Sequence, residues 1–91
     1  MTPLTMAVLI DDPELVETLV RRGADVNVPS GPSFCQTTAL HAACIRGNLD
    51  IVRCLVEHGG DLHHSDCDGM DAMKIAAVSG KAATLEYLIQ V

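Results

Sequence analysis

The sequence predicts an all-α solenoid of helix–turn–helix pairs with projecting loops, and two observations carry this prediction. First, one pattern occurs three times: its clearest copy starts at Thr38, and related copies start at Thr2 and Asp71. The starts are separated by 36 and 33 residues, and a fixed period of about 33 is typical of a helical repeat array. Second, apolar residues within each copy recur at the three- and four-residue spacing of one helix face.

The chain of 91 residues is long enough for one domain. We divide it into repeats at about 2–34, 35–67 and 68–91, the last of them incomplete. The sequence stops inside the last predicted helix, where Leu85, Leu88 and Ile89 have no following segment to cover them. Because a terminal repeat normally carries a polar outer face, we expect the chain to be a fragment of a longer array.

Repeat one contains sequence signals for the start and the end of its second helix. Asp12 is the predicted N-cap, and Pro13 occupies the first helical position, where its missing N–H costs nothing. Arg21 and Arg22 suit the negative end of the helix dipole, and Gly23 ends the helix.

Repeats two and three show the same signals. Thr38 and Asn48 are the predicted N-caps of the two helices of repeat two, and Gly47 lies where the chain must reverse. In repeat three the corresponding residues are Asp71 as N-cap and Gly80 in the reversal. Its second helix is weaker at the start because it begins with 82–84, Ala-Ala-Thr, where the other repeats have Leu or Ile.

Composition and charge narrow the class of partner. The formal net charge is −6, and Phe34 and Tyr87 are the only aromatic residues. Nucleic acid is therefore disfavoured, because its binding depends on clustered Lys and Arg and on aromatic stacking. The charge favours a protein partner that carries Lys or Arg.

The sequence predicts an intracellular protein. We interpret all four cysteines as reduced, with Cys44 and Cys54 at apolar helix positions. No signal peptide opens the chain and no apolar run approaches the roughly 18 residues of a membrane span, so we expect a cytoplasmic or nuclear location and no membrane partner.

The repeated pattern resembles the ankyrin repeat, and the resemblance covers nearly the whole chain. Repeat two matches best, and its matching residues are Thr38, Leu40, His41, Ala43, Gly47, Ile51, Val52, Leu55, Gly59 and Asp61. Only repeat two has the family's histidine, since Thr5 and Lys74 replace it elsewhere; the resemblance implies that His41 is buried and bridges to a neighbouring loop. Asp11 replaces the glycine of the helix reversal, so we expect an unusual backbone conformation there.

The resemblance implies a protein-binding module whose concave face is formed by loop tips and by the exposed side of the first helices. Transferred to this chain, the pattern gives two groups of candidate partner-binding residues. The loop tips supply Phe34, Cys35, Thr37, Cys67, Asp68 and Met70, and the ends of the first helices supply Leu9, Ile10, Ile45, Arg46, Val78 and Ser79.

Within this set, Leu9, Ile45 and Val78 occupy the same repeat position. Three apolar residues in register would form a stripe across the concave face, on the scale of an exposed interaction patch. The alternative is that their own loops partly cover these side chains and that they only contribute to packing. The sequence alone leaves both interpretations open.

Other functions remain as alternatives. His63-His64-Ser65-Asp66-Cys67 has the composition of a metal tract, but no second close pair completes four ligands, so we predict no metal and no cofactor. Cys35 and Cys67, in adjacent loop tips, could form a redox-sensitive pair. We predict no catalytic residues, because no constellation pairs a nucleophile with a base.

Two further alternatives concern the whole protein. The array could be a structural or scaffolding domain of a larger protein, or the substrate-recognition part of a ubiquitin-ligase receptor. The uncovered terminal repeats could also promote self-association. The choice between the scaffolding role and the receptor role depends on what flanks Met1 and Val91.

Overall fold

A computed structural model describes residues 2–29 and 37–91 of the chain. These residues form six helices and contain no strand, which confirms the predicted all-α repeat class. The helices are α1 (Pro3–Leu9), α2 (Pro13–Arg21), α3 (Ala39–Arg46), α4 (Leu49–Glu57), α5 (Ala72–Val78) and α6 (Ala82–Gln90). Within residues 2–29 and 37–91, no helix has the length and apolarity required to cross a membrane.

The helices form two parallel rows. The inner helices are α1, α3 and α5, and α3 packs against both of the others. The outer helices are α2, α4 and α6, and α4 likewise packs between its neighbours. Each inner helix also packs against the outer helix that follows it. Corresponding positions of successive repeats are therefore stacked side by side.

Side-chain caps start the helices where the sequence predicts them. Thr2, Asp12, Asn48 and Asp71 are N-caps whose side chains accept hydrogen bonds from backbone N–H groups of the first turn. Thr38 is the N-cap of α3 in a capping box, with His41 in the place that Glu or Gln usually fills. These caps fix the residues at which the first five helices begin, and hence the register between repeats, whereas α6, whose N-cap is Lys81, has no side-chain cap.

The reversals between paired helices use left-handed backbone. Gly47 and Gly80 have φ of 76° and 72° at these points, as the sequence predicts. Asp11 has φ of 62° at the equivalent position of repeat one, and it is the one non-glycine residue with positive φ in the described part of the chain.

One apolar core runs through all three repeats. Its largest fully buried apolar side chains are Leu40, Ile51, Leu55, Val8, Val16 and Val52. Leu88 is also buried, at 2% exposed, so the expectation that it lies uncovered in the last helix is wrong. It lies one turn from Leu85 on the face turned to the core, whereas Ile89 is 63% exposed.

Polar and aromatic side chains join neighbouring repeats. Asn27, at the end of repeat one, donates from its amide to the carbonyl oxygen of Gly59 at 3.0 Å, and its side-chain oxygen accepts from the N–H of Asp61 at 2.7 Å. The guanidinium of Arg53 in α4 lies 5.6 Å from the centroid of the Tyr87 ring in α6, within cation–π distance. These contacts hold the repeats in one orientation.

Candidate functional site

The loop before α5 is held in place by the imidazole of His41. This side chain is buried, and its Nε2 lies 2.9 Å from the carbonyl oxygen of Met70. Because a carbonyl only accepts, Nε2 carries the proton and Nδ1 is the acceptor in the neutral ring. Nδ1 then accepts from the N–H of Thr38 at 3.3 Å and from the Thr38 hydroxyl at 2.8 Å. The bridging role that the resemblance implied is therefore present.

Asp66 shapes the tip of the same loop. Its carboxylate accepts from the backbone N–H of Asp68 at 2.9 Å and of Met70 at 3.0 Å, and its carbonyl accepts from the N–H of Gly69. The hydrogen bond from Met70, followed by that from Asp68, outweighs partial desolvation and lowers the pKa of Asp66. The turn is therefore built around an ionised carboxylate.

The predicted loop-tip residues divide into three groups. Cys67 and Asp68 are exposed on the turn that Asp66 organises, and Met70 is half-buried beside His41. Thr37 is half-buried just before the N-cap of α3. Phe34 and Cys35 lie outside the described residues, and so does the proposed pairing of Cys35 with Cys67.

The ends of the inner helices carry the predicted apolar stripe, and its side chains are exposed. Leu9, Ile45 and Val78 each lie seven residues after the N-cap of their helix, and they are 40%, 54% and 77% exposed. Because the inner helices pack side by side, the three residues form one row, which we call the inner stripe. None of the three side chains is sealed from solvent, although Leu9 and Ile45 are partly covered.

The position of the inner stripe, seven residues after each N-cap, is exposed in all three repeats and not only at the ends of the array. Other positions of the inner helices behave differently. Met6 is exposed, but Ala42 and Ile75 at the same position of repeats two and three are buried. Ala77 is exposed, whereas Cys44 at its equivalent position is buried under repeat three. At those positions a neighbouring repeat covers the side chain wherever there is one. The inner stripe is left open even in the middle repeat.

The stripe is one residue wide over most of its length. The next residue of each inner helix is Ile10, Arg46 or Ser79. Ile10 is 65% exposed and widens the apolar surface in repeat one. Arg46 is exposed and Ser79 is half-buried, so polar groups border the stripe in repeats two and three.

The histidine-rich tract 63–67 has structural roles. The backbone N–H of His63 donates to the carboxylate of Asp61 at 2.9 Å. The His64 ring packs edge-on against that of His41, with centroids 5.6 Å apart. Asp66 already accepts two backbone hydrogen bonds in its turn. In the described ranges, no three His, Cys, Asp or Glu residues are grouped so that they could hold a metal ion.

A second concave feature lies between the outer helices α2 and α4. This open groove has a volume of about 420 Å³. Most of its lining is charged, and the lining residues are Pro13, Glu14, Glu17, Asp50, Arg53, Cys54, Glu57 and His58.

The groove contains a thiol and an imidazole that the sequence analysis did not pair, although their four-residue spacing on one helix was a usable signal. The Sγ of Cys54 lies 4.0 Å from Nδ1 of His58, but the same nitrogen lies 2.8 Å from the Cys54 carbonyl oxygen and must donate to it. Burial, followed by the charges of Glu17 and Glu57, raises the pKa of Cys54. The thiol therefore stays protonated and has no base, so the pair is not an activated nucleophile.

Buried polar atoms offer no vacant site either. Across 2–29 and 37–91, every buried side-chain nitrogen or oxygen has a hydrogen-bond partner. Cys44 and Cys54 are free thiols, and burial raises the pKa of Cys44 to about 12. The inner stripe and the loop tip that precedes α5 are thus the strongest candidates for recognition.

Comparison with known proteins places these features in context. The profile of the family described as ankyrin repeats (3 copies) matches residues 4–91. Human "Ankyrin repeat domain-containing protein 63" is 40% identical over 98% of this chain, which covers 24% of that protein. The rice "Potassium channel AKT3" is 38% identical over 85% of the chain and 8% of its own length. The human "Notch-regulated ankyrin repeat-containing protein" is 44% identical over 57% of the chain and 46% of its own length.

The chain therefore spans about a quarter of the length of the curated relatives that it matches along almost its whole sequence.

Proposed function

Because the chain belongs to the ankyrin-repeat family, whose members are in general protein-interaction modules, we propose that it binds a partner protein or peptide on its inner face. The inner face is the surface formed by the inner stripe and the tip of the loop that precedes α5. The proposal assigns recognition to this face and no reaction to the chain. It also assigns the chain to the interior of the cell, in the cytoplasm or the nucleus.

The observation that carries the proposal is the exposure of Leu9, Ile45 and Val78 at one position of all three repeats. Leaving an apolar side chain in water costs free energy, about 25 cal/mol for each Å² of apolar surface. Three such residues in a row on a rigid scaffold favour a partner that covers them.

The loop tip, at the opposite end of α5 from Val78, contributes polar groups. Asp68 is exposed there, and the net charge of −6 attracts basic partners over longer distances. His41, which is buried, and Asp66, which is half-buried, fix the conformation of this loop. Recognition by a preformed surface costs little ordering entropy.

A scaffolding role inside a larger protein is the second candidate. Ile89 and Met6 are exposed apolar residues at opposite ends of the array, where neighbouring repeats or domains could pack. A relative named as a potassium channel carries a matching segment in 8% of its length, so such arrays occur within large proteins of other function. No feature of the described residues favours the ubiquitin-ligase role.

Panning a library of phage-displayed random dodecapeptides tests the proposal. Wild-type protein and the double variant Ile45→Asp with Val78→Asp serve as baits, and Ile89→Asp is the matched control because its side chain is equally exposed but lies on an outer helix. We expect enriched peptides that bind wild type and the control and lose at least tenfold in affinity for the double variant. Circular dichroism must show the same helix content for all three proteins.

Enriched peptides that bind the double variant as tightly as wild type would contradict the proposal. Failure to enrich any peptide on wild type would favour the scaffolding role instead.

A further inference from the structure

The spacing of the inner stripe restricts the conformation of a bound segment. Neighbouring packed helices lie roughly 8–10 Å apart. Leu9, Ile45 and Val78 share one register on helices that pack side by side, so their side chains recur at about this interval. A partner that contacts all three must present apolar side chains on one face with the same repeat.

A β-strand does not meet this requirement. Its side chains on one face recur at about 6.6 Å, or at about 13 Å for every second one. Strand addition also needs an exposed sheet edge with unpaired backbone groups. Residues 2–29 and 37–91 contain no strand that could supply such an edge.

An amphipathic helix matches the spacing of the stripe residues, but its apolar face is wider than the stripe. Positions seven residues apart lie about 10.5 Å apart on one helix face. Such a helix, however, buries an apolar sector at least about 100° wide. The inner stripe is bordered by exposed Arg46 next to Ile45 and by Ser79 next to Val78, so a helix would place part of its apolar sector against polar groups.

The polyproline II conformation meets both requirements. It has three residues per turn and rises about 3.1 Å per residue, so every third side chain lies on the same face at about 9.3 Å. Only one apolar residue per turn is then needed, which suits a stripe one residue wide. Its backbone has no internal hydrogen bonds and remains solvated, so it needs no strand as a template.

In each turn of such a peptide, the two residues that are not apolar would face surfaces of different charge. On the helix-end side of the stripe, Arg46 is exposed and the Lys81 side chain lies against Gly47. On the loop-tip side, Asp68 is exposed on the turn that Asp66 organises. In a three-residue helix, the two residues between successive apolar positions point to opposite sides of the stripe. A basic residue on the side toward the loop before α5 is attracted over a longer distance by the charge of Asp68.

We infer that the segment bound by the inner face is an extended peptide in the polyproline II conformation, with an apolar side chain at every third residue and Lys or Arg on the side that faces Asp68. This inference rests on the proposed function. The stripe spans two helix spacings, roughly 16–20 Å. Seven residues of such a peptide cover it, since six steps of about 3.1 Å give about 19 Å.

Three synthetic fluorescein-labelled peptides of equal charge test the spacing. The first is a dodecapeptide with Leu at positions i, i+3 and i+6 in a background of Pro and Lys, and the second has the same composition with Leu at i, i+2 and i+4. The third is longer and has Leu at i, i+7 and i+14 in a helix-forming background of Ala, Lys and Gln, which is the spacing at which a helix would match the stripe. Fluorescence anisotropy measures the affinity of each for wild type, for Ile45→Asp with Val78→Asp, and for Ile89→Asp.

We expect the first peptide to bind wild type at least tenfold more tightly than the other two. It should lose at least tenfold in affinity for the double variant and keep its affinity for Ile89→Asp. Replacing its Lys residues with Glu should weaken it severalfold, and Asp68→Asn should remove most of that difference. Equal or tighter binding of the second or third peptide, or no binding of the first, overturns the inference.

The peptides enriched from the random library show whether only the inferred peptide conformation is wrong or whether the proposed function is wrong as well. Stripe-dependent peptides without a three-residue apolar repeat would overturn the conformation and leave the binding surface in place. Enriched peptides that do not depend on the stripe would overturn both.

Discussion

Asn48 donates from its side-chain amide to the carboxylate of Asp11, 2.9 Å away and 37 residues earlier in the chain. Asp11 forms the left-handed reversal of repeat one, and Asn48 is the N-cap of α4 in repeat two. The residue that replaces the expected glycine thus gains a contact that glycine could not make. The hydrogen bond to the next repeat offsets the cost of the left-handed backbone at Asp11.

Variants of Asp11 separate these two contributions. Asp11→Ala keeps the left-handed backbone without a polar side chain, and we expect a loss of about 1–2 kcal/mol in the free energy of unfolding. Asp11→Gly loses the same hydrogen bond but relieves the backbone, so its stability should lie within about 1 kcal/mol of wild type. Asp11→Asn keeps both features and should change stability by less than about 0.5 kcal/mol. Urea unfolding measures all three, and equal losses in the Ala and Gly variants would contradict the backbone argument.

Removing the imidazole of His41 should destabilise the array more than any surface change. His41→Ala leaves the carbonyl of Met70 and the N–H of Thr38 without this partner and opens a cavity, so we expect a loss of about 2–4 kcal/mol. His63→Ala is the matched control, because that side chain is exposed, and its effect should stay within about 0.5 kcal/mol. A loss below about 1 kcal/mol for His41→Ala, measured by urea unfolding, would show that the bridge contributes little.

Asp66 should make stability depend on pH in the acidic range. Its pKa is lowered in the folded protein, chiefly by the hydrogen bond from the Met70 N–H, so its stabilisation is fully present above the unfolded value of about 3.8 and is lost as the pH falls through the lowered pKa. Asp66→Asn keeps a side-chain acceptor but no charge. We expect the variant to be less stable than wild type at pH 6, and the difference to vanish at low pH.

Urea midpoints for both proteins at pH 2, 3, 4 and 6 measure the Asp66 effect. A difference that stays constant over this range would show that ionisation of Asp66 does not contribute.

The cysteines should differ widely in reactivity. The pKa of Cys44 is raised to about 12 by burial, whereas Cys67 is exposed on the loop tip. At pH 8 a thiol of pKa about 12 is ionised to roughly one part in ten thousand, and it is also shielded from reagents. Iodoacetamide labelling followed by peptide mass spectrometry should therefore modify Cys67 at least 100-fold faster than Cys44. Comparable rates in the native protein, with both labelled fully in urea, would contradict the burial of Cys44.

Most of the fold could be predicted because its signals are local. Asp12, Asn48 and Asp71 are good N-caps at the right offset before an apolar run, and the structure confirms each of them. The left-handed conformation of Asp11 was also predictable, since the repeat requires it at that position and Asp tolerates it. The repeat period itself placed all of these residues in one register.

The candidate site was less predictable because exposure is a property of packing. Leu9, Ile45 and Val78 were found by register, but only the arrangement of the helices shows that nothing in the described ranges seals them. The same limit explains the error at Leu88, which faces its own core although its neighbour Ile89 does not. The four-residue spacing of Cys54 and His58 predicts that they are neighbours, but only the structure shows that the imidazole Nδ1 donates to the Cys54 carbonyl.

The cross-repeat contact of Asn27 with Gly59 and Asp61 bears on how such a protein grows in evolution. A duplicated unit brings its own hydrophobic surface, but it also needs a residue that reaches over the new junction. In this chain the residue at the position equivalent to Asn27 in the middle repeat is His63, so copying the middle repeat would not reproduce these two amide hydrogen bonds. Lengthening the array by duplication would therefore favour descendants in which this slot reverts to asparagine.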